Sequence, residues 1–546
     1  MKNFINPIQK HFWLTVAFFI TMPLVSCKKS LQPKPYSLFT TSNYFADESE
    51  AYAATLGVYD AMSSQNAYGA YLSFITDNDT DISQTSGIDL VTDYRVICHY
   101  QGTAQTPGFY TMWSALYAGI DRANLVIQQI PEMTLYKSGT AAQQTDLNRM
   151  LGEAKFLRGF YYSELVRLWG DVPFKLTPSQ TGEDFKLPRT NRYTIYTQII
   201  KDMQDAAAVL PTALPTDERI CKWGAEAILA RVALNAGGYS ESQTGQMTRP
   251  ANYLDYYKLA QTEINDIMAQ NLYKLNPSYA QVFKNQCQGV LEPTESMFEV
   301  AFFNAAGSAS GGNWLGVIYG SPLTAAGIYA VTNGRELALR PFWQTFATGD
   351  LRRDFSIATY TVSATGAQVP LVINTRSDET WTSAKWARQY QVNDILERAS
   401  TNINTVIMRY SDLLLLRAEV ENELNGGPDQ LAYDAINMVR RRAYGQPVTT
   451  ADPAVDLAGL NYASFFTAVQ NERAWEFCFE GERRSDLIRW NILGPTLLAT
   501  KQATLAIRSN FNYTASTNYV EGKSELYPIP VNERDINPNI GQNNGY

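Results

Sequence analysis

Two acidic side chains, Glu476 and Glu480, are the first candidates for catalysis because they lie one helical turn apart in a segment rich in charge. A glycoside hydrolase needs two carboxyl groups roughly 5 to 9.5 Å apart across a cleft, and side chains at i and i+4 of one helix can meet only the lower figure. Nearby arginines would keep both carboxylates ionised, which is the wrong state for a general acid. We therefore expect a buried structural ion network, and its predicted members are Arg473, Glu476, Glu480, Arg483 and Asp486.

Histidine chemistry has almost no residues to draw on, since the chain contains only His11 and His99. His11 lies in an amino-terminal segment that we predict to be removed. Serine and cysteine hydrolase arrangements and histidine metal sites would then all depend on His99. This composition disfavours most hydrolase classes, although a glycosidase with a Glu/Asp pair needs no histidine. We predict no catalytic residue, no metal and no cofactor.

An alternating acidic run, Asp77, Asp79 and Asp81, matches the opening of a calcium-binding loop. The rest of that loop is absent, because Ile82 stands where an EF-hand has Gly and Ile88 stands where it has Glu. An EF-hand is excluded. Three interpretations stay open: a looser calcium site rich in oxygen, carboxylates that bind sugar hydroxyls, and a solvated turn.

Aromatic side chains are abundant, with 33 Tyr and 10 Trp. A sugar ring presents apolar C–H faces and a rim of hydroxyls, so a sugar site combines flat aromatic faces with short polar side chains. The two types coincide on predicted loops around residues 77–100 and 307–319. The predicted ligand-binding residues are Asp77, Asp79, Tyr94, Arg95, Tyr100, Asn313, Trp314 and Tyr319.

The amino terminus reads as a secretory signal. Lys2 and Lys10 precede a short apolar run from Phe12 to Met22, and the tetrapeptide Leu-Val-Ser-Cys ends at Cys27. That tetrapeptide resembles the lipobox of bacterial lipoproteins, which implies a signal peptide over residues 1–26 and a lipid on Cys27. No later stretch reaches the roughly 18 apolar residues of a membrane helix, so we expect a tethered protein.

Charge and cysteine spacing exclude two further classes. The net charge is −8, and the longest basic run is Arg440 to Arg442, so we predict no nucleic-acid partner. The remaining cysteines, none of them in CxxC spacing, give no support to a zinc site. We expect buried free thiols and leave disulfide pairing open at Cys98, Cys221, Cys287 and Cys478.

Helical periodicity dominates the elements that must position these residues. The stretch from Gly152 carries an apolar stripe that stops at Gly170, and Trp113 to Ile127 shows the same pattern. Paired helices of this kind predict a mostly α fold built on tetratricopeptide-like repeats. The further helices are predicted over Tyr193–Leu210, Trp223–Asn235, Tyr256–Ala269, Ser411–Leu424 and Leu431–Arg442.

A loop-rich insertion interrupts this scaffold between Asn276 and about Gln391, where the sequence becomes rich in Gly and alternating in polarity. We predict a strand over Phe298–Phe302 and one or two short strands over Phe355–Asn374, around Gly366. Functional residues are often found on such insertions.

Five segments together resemble the SusD/RagB lipoproteins, the substrate-capturing partners of TonB-dependent outer-membrane transporters. They are the lipobox at Cys27, TTSNYFADESEAYAATLGVYDAM from Thr40, GEAKFLRGFYYSELVRLWGDVPF from Gly152, NERAWEFCFEGERRSDLIRWNIL from Asn471, and the carboxyl-terminal YPIPVNERDINPNIGQNNGY. The resemblance implies a helical scaffold over about 40–275 and 405–500, a loop-rich insertion over about 276–400 that forms the ligand face, and a single SusD-like domain over 27–546. It also implies that the chain has no catalytic residues.

The predicted function is capture of a nutrient, a glycan in the first instance, for a SusC-like TonB-dependent transporter partner at the outer membrane. A peptide cargo stays open, as do two other classes: a secreted glycoside hydrolase and a helical-repeat scaffold that binds only protein. Lys28 and Lys29 follow Cys27, where many surface-displayed lipoproteins carry acidic residues. The expectation that the protein faces the cell exterior therefore depends on the family resemblance.

Lipid attachment makes the first testable prediction. Cys27→Ala should leave a soluble periplasmic or secreted protein, because no other segment is apolar enough to hold the chain in a bilayer. Fractionation of cells that express the variant measures this. Recovery of the variant in detergent-extracted outer membrane would contradict the lipoprotein prediction.

Overall fold

The computed structural model describes residues 44–87, 91–303, 312–323, 329, 332–374, 380–391 and 400–546. The predicted signal segment, Cys27 and Ile88 lie outside these ranges. Contacts divide the chain into Met1–Ala46, nearly all of it outside the described residues, and one compact unit, Asp47–Tyr546. No helix in the described ranges combines the length and apolar character of a membrane span.

Helices account for most of the ordered elements of this unit, as the periodicity predicted. They are α1 Glu48–Ser63, α2 Tyr71–Ile75, α3 Asp93–Cys98, α4 Pro107–Gln129, α5 Thr134–Ser138, α6 Ala141–Trp169, α7 Arg192–Ala207, α8 Lys222–Gly237, α9 Tyr253–Ala269, α10 Tyr279–Cys287, α11 Arg340–Thr345, α12 Leu351–Ser356, α13 Tyr410–Asn425, α14 Gln430–Ala443, α15 Tyr462–Phe477, α16 Arg483–Arg489, α17 Leu493–Ile507, α18 Thr514–Asn518 and α19 Val531–Ile536. The described residues also include two 3₁₀ turns, Ile130–Glu132 and Arg388–Tyr390.

The long helices pack in one continuous row. Helix α4 contacts α6, α6 contacts α7, α7 contacts α8, α8 contacts α9, α9 contacts α13, and α13 contacts α14. Each predicted long helix is present, with ends within about three residues of the sequence-based bounds except at two starts: α4 begins six residues and α6 eleven residues earlier than the apolar stripe predicted. This succession of packed neighbours is the organisation that a helical-repeat scaffold requires.

Local sequence explains where the helices begin and end and how closely they pack on one another. Helix α6 begins with a capping box, in which Thr140 and Gln143 satisfy each other's backbone N–H groups, and it ends at Gly170, whose φ of 72° suits glycine. At Gly119 a Cβ atom would lie 2.5 Å from the ring of Tyr161, so only glycine lets α4 come this close to α6. The small residues of α8, such as Ala227 and Ala230, are likewise fully buried.

The strands of the described residues are short, and half of them lie in the insertion. They are β1 Ser83–Thr85, β2 Val172–Pro173, β3 Arg189–Thr190, β4 Ser240–Glu241, β5 Met247–Thr248, β6 Ser296–Val300, β7 Glu336–Ala338, β8 Ile357–Ala358, β9 Tyr360–Val362, β10 Gln368–Pro370, β11 Thr382–Ser383 and β12 Thr405–Arg409. Strands β1, β7, β11 and β8 form one sheet in that order, and the other strands pair as β9 with β10, β6 with β12, β2 with β3, and β4 with β5.

The insertion largely follows its predicted pattern. The strand predicted at Phe298–Phe302 is present as β6, which begins and ends two residues earlier. Gly366 lies in the turn between β9 and β10 with a φ of 85°. Phe355 differs from the prediction, because it belongs to α12 and packs on Tyr279 and Phe283 of α10. Its burial against a helix outweighs the strand preference of an aromatic residue.

All four cysteines of the described chain, Cys98, Cys221, Cys287 and Cys478, are buried free thiols, as expected. Burial raises the pKa of the Cys287 thiol well above its usual range. These cysteines therefore act as small core residues.

A buried ion network lies at the centre of the scaffold, around Glu476 near the end of α15. Its carboxylate contacts the guanidinium groups of Arg442, Arg409 and Arg352, the last two at 3.0 and 3.2 Å. All four side chains are at most 2% exposed. Burial raises the pKa of Glu476, but the three arginines more than offset this and hold the pKa well below its usual range.

The predicted structural network is confirmed, although its members pair mostly with residues from other elements. Arg473 binds Asp412 and Asp486, Glu480 binds Lys385 and Arg409, and Arg483 binds Asp81. Only the Arg473 to Asp486 pair joins two of the five predicted members. Distant partners such as Lys385 and Asp81 carry no signal in the local sequence, so the spacing alone could not identify them.

Glu476 gives the second testable prediction. Glu476→Gln should lower the free energy of unfolding by about 3–5 kcal/mol, because it leaves three buried guanidinium groups without their shared carboxylate. Chemical denaturation at neutral pH measures the change. A matched control is Glu132→Gln, since the Glu132 side chain is 72% exposed and pairs only with Lys137. Equal stability of the two variants would contradict a structural role for Glu476.

Candidate functional site

The two loops predicted to bind ligand meet in the structure. The ring of Tyr94, on α3, stands edge-on to that of Trp314, with centroids 6.2 Å apart. Beneath them, Phe74 packs edge-on against both Tyr94 and Tyr319, at 5.1 and 5.3 Å. The backbone N–H of Trp314 donates to the Gly69 carbonyl at 2.8 Å, which fixes the second loop on the turn between α1 and α2. Residues more than 200 positions apart in the sequence thus share one surface.

A third ring, Tyr71, belongs to the same surface and was not predicted. It is tilted by 33° to Trp314, with centroids 6.2 Å apart. Its position depends on Gly108 at the start of α4, where a Cβ atom would lie 3.0 Å from the Tyr71 ring. We call Tyr71, Tyr94 and Trp314 the aromatic face, and each of these side chains is half-buried, so part of every ring reaches solvent.

Arg95 lies beside the aromatic face. The Arg95 guanidinium is 5.4 Å from the centroid of the Tyr94 ring, and its Nε donates to the Ser86 carbonyl at 2.6 Å. The edge of the face therefore carries a positive charge.

Four of the predicted ligand residues are buried and hold the loops in place. Asp77 accepts the backbone N–H groups of Gly481 and Arg483 at 2.6 and 2.7 Å, which anchors the first loop to the turn before α16. Asn313 donates to the Ile403 carbonyl and to Thr405 at 2.9 and 2.7 Å. These side chains are at most 1% exposed, so their polar atoms face protein partners and not a ligand.

Tyr319 and Tyr100 are placed by similar contacts. The Tyr319 hydroxyl donates to the Ser73 carbonyl at 2.7 Å, and the residue is 1% exposed. Tyr100 is half-buried and packs edge-on against Tyr519, with centroids 5.9 Å apart. Of the eight predicted residues, only Tyr94, Arg95 and Trp314 thus combine partial exposure with a place at the aromatic face.

Asp79 forms a buried pair with His99. The two side chains are at most 1% exposed, and His99 Nδ1 contacts Asp79 Oδ2 while Nε2 lies 2.8 Å from the Gly87 carbonyl. A carbonyl oxygen only accepts, so Nε2 carries a proton, and the carboxylate opposite Nδ1 calls for a second one. The pair therefore favours the protonated ring, and both nitrogens are occupied by structural contacts.

The acidic run 77–81 is neither a solvated turn nor a cluster of metal ligands. Asp77 and Asp79 are buried, and Asp81 pairs with Arg483. Across the part of the chain that the structure describes, no group of three or more His, Cys, Asp or Glu side chains could hold a metal ion. These carboxylates instead tie the first loop to α3 and to the turn before α16.

The His99 pair makes a pH-dependent prediction. Burial lowers the pKa of His99, but the Asp79 carboxylate and the Gly87 carbonyl more than offset this, so the pKa is raised. Because the pKa is raised, the charged His99 to Asp79 pair contributes its full stabilisation below about pH 6.5. This stabilisation is lost as the pH rises through the folded-state pKa of His99. We expect the stability advantage of the parent over His99→Gln to shrink as the pH rises above about 6.5, by roughly 1.4 kcal/mol per unit of pKa shift.

Denaturant unfolding of both proteins at a series of pH values measures the difference, because groups that do not contact the pair titrate alike in both. An advantage that stays constant with pH would contradict the charged pair.

Known proteins match this chain over most of its length. A family model described as the SusD family matches residues 327–546, and one described as starch-binding and associating with the outer membrane matches residues 31–234. SusD-like protein P25 of Formosa agariphila is 25% identical over 98% of this chain and 99% of its own length.

Solved structures match more than nine tenths of the chain. A SusD homolog from Bacteroides thetaiotaomicron is 30% identical, with a TM-score of 0.86 over 93% of this chain and 98% of its own. A laminarin-binding SusD-like protein is 23% identical, with a TM-score of 0.69 over 92% of this chain and all of its own. The likeness in sequence and in fold extends over nearly the whole length of both partners, and on that basis the chain belongs to the SusD family.

Proposed function

We propose that the protein captures a glycan on the aromatic face, without catalysis, and passes it to a SusC-like TonB-dependent transporter at the outer membrane. The observation that carries this proposal is the meeting of Tyr94 and Trp314, from two distant loops, beside Tyr71. Three rings held at different tilts form a shallow surface for the apolar faces of sugar units.

The polar groups around the face suit the same ligand. The Arg95 guanidinium adds a positive charge beside the Tyr94 ring, and the hydroxyls of Tyr71 and Tyr94 can both donate and accept. Sugar hydroxyls need partners of both kinds, whereas a purely apolar ligand would gain nothing from them.

Relatives favour a glycan over a peptide as the cargo. One of the solved neighbours binds laminarin by name, and the family model over the amino-terminal part is described as starch-binding. The same description refers to association with the outer membrane, which supports the lipid anchor proposed at Cys27 and a position beside an outer-membrane transporter.

Two features support a non-catalytic role. Glu476 and Glu480, the carboxylates considered first for glycoside hydrolysis, are buried and ion-paired with Arg409, so neither is placed to protonate a leaving group. His99 is occupied at both ring nitrogens. These particular groups are therefore unavailable as the acid or base of a hydrolase.

Removal of a ring from the aromatic face tests the proposal. Trp314→Ala should weaken glycan binding by about 1–3 kcal/mol, the value of a buried aromatic contact, and should leave the fold intact. Tyr94→Ala should act in the same direction. Calorimetry against a panel of β-glucans and α-glucans that includes laminarin and starch fragments measures the affinity.

Tyr52→Ala is the matched control, because Tyr52 is a 38% exposed tyrosine on α1, outside the aromatic face. We expect its affinity to equal that of the parent. The double variant Trp314→Ala with Tyr100→Ala should bind no better than Trp314→Ala alone. If that double variant binds as tightly as the parent, the ligand site lies elsewhere.

A further inference from the structure

A separate cavity lies between α4, the loop of residues 173–187 and α19. Its volume is about 320 Å³, which falls in the range of small-molecule sites, roughly 300–1,000 Å³. Its lining includes no residue of the aromatic face. Asp121, on its α4 wall, lies about 20 Å further along that helix than Gly108, at roughly 1.5 Å per residue. The cavity is therefore a second place where a ligand can bind.

Aromatic side chains form much of the wall. Trp113, Tyr117, Tyr162 and Phe185 all line the cavity. The two tyrosine hydroxyls donate to the backbone carbonyls of Pro173 and Lys175 at 2.7 and 2.8 Å, so their rings are held in fixed positions. Phe185 is different, because it is 52% exposed and stands at the mouth. Trp113 and Tyr162 are at most 2% exposed, so the accessible ring surface of the cavity comes mainly from Tyr117 and Phe185.

Two carboxylates, Asp121 and Glu533, also line the cavity, and no positively charged side chain of the described residues pairs with either. Asp121 accepts the Ser179 backbone N–H through Oδ1 at 2.7 Å, and Glu533 accepts from the Trp113 side chain. Neither takes part in a salt bridge within the described residues. Burial raises the pKa of Glu533, which reflects a carboxylate lacking compensating charge.

The one lysine of the cavity is already engaged. Lys175 Nζ pairs with Glu183 at 2.5 Å and lies 5.3 Å from the centroid of the Phe185 ring. The charge left over at the cavity is therefore negative. A suitable ligand has hydrogen-bond donors, and a positive group on it would gain further from the two carboxylates.

We propose that this cavity binds a single sugar ring and prefers an amino sugar over a neutral or an acidic one. The C–H face of the ring stacks on the aromatic wall, the hydroxyls donate to Asp121 and Glu533, and an ammonium group offsets their charge. This proposal is independent of the one for the aromatic face, so an experiment can contradict either proposal and leave the other standing.

A monosaccharide titration of the full mature chain tests the proposal. The probes are glucosamine, glucose and glucuronate, followed by ligand-observed NMR, with ethanolamine as an amine that lacks a ring. We expect glucosamine to bind about tenfold more tightly than glucose, with glucuronate weaker still, and ethanolamine to bind more weakly than glucosamine. Glu533→Gln and Asp121→Asn should each weaken glucosamine binding by about tenfold.

Controls separate this site from the aromatic face and from loss of fold. Trp314→Ala and the exposed-carboxylate variant Glu132→Gln should bind glucosamine as the parent does. If a carboxylate variant unfolds, Phe185→Ala replaces it, because this half-exposed ring can be removed without opening the core, and it should also weaken binding. Loss of glucosamine binding in Trp314→Ala, equal binding in Glu533→Gln and Phe185→Ala, or equal affinity for ethanolamine and glucosamine would overturn the proposal.

Discussion

Three buried guanidinium groups share the carboxylate of Glu476. The geometry around the proposed glycan site depends on this neutralisation of buried charge. Arg352, Arg409 and Arg442 come from three different elements, so the pairing joins the insertion to helices α14 and α15. The backbone carbonyl of Glu476 also accepts from Lys385 at 3.0 Å, which holds the end of α15. The chain leaves this point through a tight turn in which Phe479 and Gly481 have positive φ.

That turn carries the constraint to the aromatic face. The Gly481 N–H binds Asp77, Asp77 begins the loop that leads to α3, and α3 presents Tyr94. The Asp79 to His99 pair closes the same loop from its other end. Trp314 is fixed independently, through Asn313 and the Gly69 carbonyl. The rings are therefore held in position before any ligand arrives, which lowers the ordering cost of binding.

The sequence was most informative where periodicity or residue type has one physical meaning. The apolar stripe from Gly152 predicts α6, and loop aromatics beside polar residues predict the meeting of Tyr94 and Trp314. Tyr71 was missed because its helix has only five residues, too few for a period to emerge. Asp77 and Asn313 were predicted to contact the ligand. A short polar side chain on a loop can equally well contact a sugar or anchor buried backbone groups. Only the tertiary partners, such as the N–H groups of Gly481 and Arg483, distinguish the two uses.

The central claim is that the pre-formed aromatic face is where glycan binds. A crystal structure of the mature protein with a bound glucan oligosaccharide, chosen from the panel by affinity, tests it most directly. Our account predicts sugar rings against Trp314 and Tyr94, with those side chains and the Asp77 anchor unmoved from their unliganded positions. Sugar bound elsewhere on the molecule with the aromatic face empty, or a face that forms only by rearrangement of the Asp77 loop, would contradict it.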